Sequence, residues 1–224
     1  MSIDYSVLSD WDVYLGHITP AYRKLITEEG RRVKAAVKRL GGRGRFLDDG
    51  CGSGRIAEIV APHVGEYVGL EHEYRQLKAA ERANNLKNVR FVYSDMIAIP
   101  FPEKYFDVTA CLFSTISNQG NDRFKALQEM KRVTKPGGDV ILSAYAENAA
   151  EYQMEFYKKI GVEEGEMNAV GDMVIVNSKI LGDFVSERFS MPKLRRLFAD
   201  NGFPKVRISR LADFAYFAEA KRVI

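Results

Sequence analysis

Apolar positions along this 224-residue chain change their spacing several times, and the changes mark out alternating helices and strands. Tyr22, Leu25, Ile26, Val33, Ala36, Val37 and Leu40 recur at helical spacing behind Thr19-Pro20, a capping hydroxyl followed by a proline suited to a first turn. Gly41-Gly42 stops that run. Phe46 and Leu47 then lead through a glycine-rich turn into a second helical pattern, Ile56, Ala57, Ile59 and Val60. Residues 67–70 read as a strand ending at Glu71, 74–84 as a helix, and 88–93 as a third strand. Phe106-Asp107 opens a fourth strand over 108–113. A helix from Asp122 carries Phe124, Leu127, Met130 and Val133 on one face and stops at Lys135-Pro-Gly-Gly138, ahead of a fifth strand over 139–145.

Residues 146–189 break the alternation and are acidic, nine Asp or Glu against four Lys or Arg, which predicts an insertion folded over the edge where the chemistry sits. Ser190-Met-Pro192 caps a helix with Leu194, Leu197 and Phe198, stopped by Gly202, and 206–210 and 214–220 read as two closing strands. The first nineteen residues lack a clean period and interleave Tyr5, Trp11 and Tyr14 with Asp4, Asp10 and Asp12, as an arm or lid would. No repeat or linker appears. The expectation is one α/β domain: arm and helix over 1–44, a binding core over 45–145, the insertion, and closing elements over 190–224.

Composition adds few constraints. Apolar residues make up 46% and charged residues 28%, as in ordinary globular proteins, and 33 basic against 30 acidic residues leave a net charge of only +3. Seven basic residues and no acid lie within 31–45, yet no aromatic interleaves them, so they read as a solvated helix face more than a nucleic-acid patch. The two cysteines, Cys51 and Cys111, are too few for a disulfide framework, and the three histidines, His17, His63 and His72, support no metal site. Residues 1–30 hold no apolar run of signal-peptide kind and nothing is long enough to span a bilayer, so a cytoplasmic protein is expected.

The candidate chemistry centres on Asp48-Asp-Gly-Cys-Gly-Ser-Gly54. Glycine tolerates positive φ and lets a ligand approach the backbone, so this strand-to-helix turn is a small-molecule site. A dinucleotide fold expects G-x-G-x-x-G, whereas Gly50, Gly52 and Gly54 stand at alternate positions with Asp48 two before the first, which counts against NAD. Glu71, twenty-one positions beyond Gly50 at a strand end, is placed to accept both hydroxyls of a ribose.

These residues resemble the D-x-G-C-G-x-G motif of class I S-adenosylmethionine (SAM) dependent methyltransferases, and the phrase Glu129-Met-Lys-Arg-Val-Thr-Lys-Pro-Gly-Gly138 resembles the same family's helix-to-fifth-strand connection. The resemblance runs over about 45–145. It implies a doubly wound, mostly parallel sheet of seven strands with an antiparallel last strand, and a helical or lid insertion after the fifth. It also implies SAM as cofactor, held by Asp48, Gly50, Cys51, Gly52, Gly54, Glu71, His72, Asp95, Met96 and Leu112, with Asp95 meeting the adenine amine and Met96 packing on the ring.

The polar loop of Ser114, Thr115, Ser117, Asn118 and Gln119 follows the fourth strand, where α/β folds place chemistry. Tyr14, Asn118, Gln119 and Tyr145 are the candidates for the acceptor, and His17, Tyr145 or Glu147 for a base if one is needed. The acidic insertion points to a small neutral or cationic acceptor such as an amine, away from nucleic acid and membrane. An RNA methyltransferase, an aminopropyltransferase and a protein that holds SAM or its demethylated product without turnover are the alternatives.

Overall fold

The computed structural model describes Gly16 and residues 18–223. The expected arm with Tyr5, Trp11 and Tyr14, and also His17, lies outside the described residues. The first long helix, α1 (Pro20–Lys38), starts where the capping pattern predicts, with the Thr19 side chain accepting the Tyr22 N–H at 3.3 Å. It buries Tyr22, Leu25, Val33, Ala36 and Val37, and Arg31, Lys34 and Lys38 stay exposed as a solvated basic face.

Strands β1 (Arg45–Asp49), β2 (Glu66–Glu71), β3 (Val89–Tyr93), β4 (Phe106–Cys111) and β5 (Thr134–Tyr145) run parallel. Helices α2 (Ala57–Val60), α3 (Tyr74–Ala83) and α4 (Asp122–Val133) connect them. After the insertion come α6 (Met191–Asp200), β9 (Val206–Leu211) and β10 (Ala215–Lys221), with β10 antiparallel to both β5 and β9. The sheet order is β3-β2-β1-β4-β5-β10-β9, seven strands with the reversal of winding between β1 and β4. Two core layers flank it. Phe46 and Tyr67 pack with α1 and α2 on one face, while Leu47 and Val68 pack with α4 and α6 on the other. Alternation along β1 therefore also sends Asp48 and Asp49 to opposite faces.

Three local expectations change. The helix after the glycine turn is a single turn, α2, because Pro62 tightens the chain directly into a 3-10 turn, Ala61–His63. Strand β5 begins at Thr134 and takes Lys135-Pro-Gly-Gly138 into it, with a register shift opposite Phe106 and Val108. The insertion is only partly helical: α5 (Ala150–Lys159) is followed by an antiparallel sheet of β6 (Met167–Val170), β7 (Met173–Ser178) and β8 (Gly182–Glu187). The period of two in β7, where Val174, Val176 and Ser178 are buried, is the reason for that sheet. Arg123 of α4 pairs with Glu187, and Lys193 of α6 pairs with Asp172 and Glu187, which clasps the insertion to the core. No helix among the described residues is long and apolar enough to cross a membrane.

Candidate functional site

A cavity opens at the carboxyl ends of β1, β2 and β4, the place where a doubly wound sheet leaves a crevice. Its first end is made by the glycine turn. Gly50, Gly52 and Gly54 all have positive φ, at 79°, 56° and 81°. A side chain on Gly50 would come within 3.1 Å of Thr115, and one on Gly52 within 3.3 Å of the Gln76 oxygen, so hydrogen at these positions keeps a cradle open. Gly54 does not line the cavity. It packs beneath it, where a Cβ would meet Asn84, Phe91 and Ala80 at 2.8, 3.0 and 3.1 Å.

Glu71 holds this end together. One of its oxygens accepts the Gly52 N–H at 2.8 Å, and the other accepts the N–H groups of His72 and Glu73, both at 2.9 Å. A single carboxylate at the end of β2 thereby shapes the turn after β1, a contact across 19 residues. His72 lies half-exposed with Nδ1 3.2 Å from the same acid, and this bond raises its pKa above the ordinary histidine value. Asp95, exposed, and Met96, buried, line the rim beyond it, and Cys51 and Leu112 line the wall.

Asp48 is 2% exposed and accepts the Tyr67 hydroxyl at 2.6 Å; burial pushes its carboxyl up to about 6. Asp49, on the other face, is fully buried, and neither of its oxygens has a partner among the described residues, so burial raises it well above the carboxylate range. The sequence motif leaves that position open and does not flag it.

The second end is built by side chains. Asn118, Gln119 and Tyr145 line it as expected, while Tyr14 lies outside the described residues. Ser117 is fully buried and its hydroxyl accepts the Tyr145 N–H at 3.2 Å, so it positions Tyr145 and does not face the cavity. The Tyr22 hydroxyl donates to the Tyr145 hydroxyl at 2.9 Å. Glu147 points away: its carboxylate takes the Tyr216 hydroxyl at 2.8 Å and Arg210 at 2.6 Å, which removes it as a base for this cavity. His63 ends the 3-10 turn and is not in the lining.

Sequence reading missed the insertion's contribution, Tyr157, Ile160, Leu181 and Phe184, all apolar or aromatic. It also missed Glu29, Arg55 and Phe113. Glu29 is fully buried on α1, accepts the Phe113 N–H at 2.8 Å and pairs with Arg55. The signal was present: Glu29 sits four after Leu25 and four before Val33, a charged residue in the apolar phase of the helix. Phe113 and Ser114 are consecutive non-glycine residues with φ of 54° and 58°, and the Ser114 N–H is caught by the Ser143 hydroxyl at 3.0 Å. Backbone of this kind costs about 1–3 kcal/mol per residue and persists only where its surroundings enforce it.

Comparison with known proteins agrees with this geometry. A family model described as a methyltransferase domain matches residues 47–142. An uncharacterized methyltransferase of Mycobacterium leprae (strain Br4923) is 38% identical over 98 residues, 44% of this chain and 36% of that protein. A demethylmenaquinone methyltransferase of Geobacillus kaustophilus (strain HTA426) is 37% identical over 104 residues, 43% of each. The chain thus spans less than half the length of these curated relatives. A solved SAM-dependent methyltransferase of Clostridium acetobutylicum ATCC 824 shares the fold, with a TM-score of 0.66 at 14% identity over 88% of this chain and 92% of that one. Residues 47–142 are accordingly a methyltransferase domain, and the fold around them is that of the class I SAM-dependent methyltransferases.

Proposed function

We propose that this chain transfers the methyl group of SAM to a small molecule with a largely apolar body. The observation that carries the reading is the two-ended cavity: a glycine cradle with Glu71 and Asp95 at one end, and Phe113, Tyr157, Leu181 and Phe184 around Tyr145 at the other. The cradle fits SAM, because a Cβ would fill it at Gly50 and Gly52 and because Glu71 and Asp95 offer carboxylates, the acceptors that a ribose and an adenine amine require. Gly50, Cys51, Gly52, Glu71, Asp95, Met96 and Leu112 would hold it. When bound, SAM supplies an electrophilic methyl group on its sulfonium.

The protein's part is placement. Holding a nucleophile in line with a methyl carbon is worth about 7–11 kcal/mol in favourable cases, and the Tyr22 and Ser117 bonds fix Tyr145 for that purpose. The apolar wall excludes water from the acceptor end. Kinship with a demethylmenaquinone methyltransferase supports a small-molecule acceptor.

The amine expected from the insertion's charge loses its footing. None of the nine acids of the insertion lines the cavity. Glu164 pairs with Lys158, Glu166 accepts backbone N–H groups, and Asp172 and Glu187 are spent on the clasp. These acids act away from the cavity lining, and an apolar or aromatic acceptor fits the wall better. Labelled SAM offered with phenols, quinols, amines, carboxylates and transfer RNA tests the reading. Turnover of a phenol or quinol is the expected result, and methylation of RNA with no small-molecule turnover overturns it.

A further inference from the structure

Neither Glu129 nor Arg132 lines the cavity, yet the two hold a loop that does. They lie one turn apart on α4 and meet side by side: Nε of Arg132 donates to Oε1 of Glu129 at 2.7 Å, and Nη2 donates to Oε2 at 2.8 Å. The pair also grips the chain that follows β3. Oε2 of Glu129 accepts the Ile99 N–H at 2.9 Å, while Nη2 and Nη1 of Arg132 donate to the carbonyls of Ile99 and Phe101, each at 2.8 Å. Ile99 is thus held through both of its backbone groups by one ion pair, and its side chain, 3% exposed, packs in the core layer of α4. Arginine suits this work, because its planar fork sets donors on a carboxylate and two carbonyls at once, which an ammonium does not.

Between β3 and Ile99 lies the turn of Asp95 and Met96, both in the cavity lining. Strand β3 is at the edge of the sheet and pairs only with β2, so the sheet supports this turn from one side. The turn closes on itself: Oδ1 of Asp95 accepts the Ile97 N–H at 3.1 Å, the Asp95 carbonyl accepts the Ala98 N–H at 3.0 Å, and the Ser94 hydroxyl donates to the Ala98 carbonyl at 3.1 Å. These bonds fix its shape. Its place depends on its two ends, where the Ser94 N–H reaches the Glu71 carbonyl at 3.1 Å and Ile99 is held by the α4 pair. Oδ2 of Asp95 makes no hydrogen bond among the described residues and is left for a ligand.

We infer that Glu129 and Arg132 are positioning residues for the adenine end of the cofactor: they hold the turn of Asp95 and Met96 where a carboxylate oxygen meets the adenine amine, and so set the preference for adenine over a base without that donor. The inference rests on the proposed function, in which Asp95 accepts the amine, and adds to it two residues that touch no ligand. A hydrogen bond is lost when its acceptor moves by about an ångström, whereas packing of Met96 on a ring survives such a shift. Loosening the α4 pair therefore costs the amine contact and spares the packing.

Titration calorimetry on the full chain tests this without any methyl acceptor, by comparing S-adenosylhomocysteine (SAH), the demethylated cofactor, with its analogue in which hydrogen replaces the adenine amine. The unaltered chain is expected to bind SAH about tenfold more tightly than the analogue, the worth of one hydrogen bond to a carboxylate. Arg132→Lys keeps a cation beside Glu129 but loses the fork, and should weaken SAH by about fivefold and the analogue by about twofold at most, so that the preference falls towards parity. Glu129→Gln keeps an acceptor for the Ile99 N–H and should shift the preference in the same direction by less, which decides the matter where Arg132→Lys fails to fold. Equal losses for the two ligands, or no loss for either, overturn the positioning role and leave the proposed function standing. Equal binding of both ligands by the unaltered chain does the same. Binding of neither ligand by the unaltered chain overturns the proposed function as well.

Discussion

The two ends of the cavity are built by different means. The cofactor end is a device of backbone and short sequence distance: Glu71 reaches the N–H groups of Gly52, His72 and Glu73, and Gly50 and Gly52 supply the conformations that leave room. The acceptor end is a device of side chains from distant segments, with Phe113, Tyr145, Tyr157, Leu181 and Phe184 brought together by the strained elbow after β4, the end of β5 and the clasped insertion. A backbone device tolerates few residue types at each position, which makes it recognisable. A side-chain wall accepts many apolar combinations of similar volume, which lets specificity change while the fold stays.

The comparison breaks most visibly at Gly54, which supports the cofactor end from below. Gly54→Val forces a branched side chain into a left-handed backbone against Phe91 and Ala80, and strain plus overpacking should cost about 4 kcal/mol in urea unfolding. Loss below about 1 kcal/mol would show that the turn relaxes freely.

Asp49 gives the next effect, a pH dependence. Its folded carboxyl is held well above the usual range by burial, so the folded state binds the proton more tightly than the unfolded chain does. Stability from this group is present below the unfolded value near 3.9 and is lost as pH rises towards the folded value. Asp49→Asn removes the titration, so its advantage over the unaltered chain should widen above pH 4, by up to about 1.4 kcal/mol per pH unit. Parallel stability curves from pH 4 to 8 would mean that Asp49 finds a partner in solution.

Glu71→Ala is expected to weaken SAH binding by about 1–3 kcal/mol, since it leaves the turn's N–H groups without their acceptor as well as removing the proposed ribose contact. Unchanged affinity by calorimetry would detach Glu71 from the cofactor end. The smallest effect sharpens the contrast. Phe184→Ala should leave SAH affinity within about 0.5 kcal/mol while shifting which acceptors are turned over, and a larger loss of SAH affinity would mean that the two ends are not separate.

Much of the scaffold was legible before any coordinates. Helical spacing located α1, α3 and α4, punctuation by Gly41-Gly42 and Gly202 marked where α1 and α6 stop, and the proposed cofactor end stood out as one short motif and two strand-end acids, which the structure brings to one cavity. These succeed because period, capping and positive φ are local demands that a few neighbouring residues must meet. The insertion's charge says less about the acceptor for a related reason: composition counts acids but does not say which way they point, and Glu164, Asp172 and Glu187 make ion pairs away from the cavity lining.

What the sequence alone determined, then, is the winding of the sheet and the glycine turn at the end of its first strand. Only the tertiary structure decided the rest of the site. It showed Glu29 reaching Arg55 and Phe113, which lie 26 and 84 residues away. It also showed Asp48 and Asp49 on opposite faces of the sheet, one lining the cavity beside Tyr67 and one sealed without a partner among the described residues. Such contacts depend on the docking of α1 and the insertion against strand ends, and no local period records a distance across the fold.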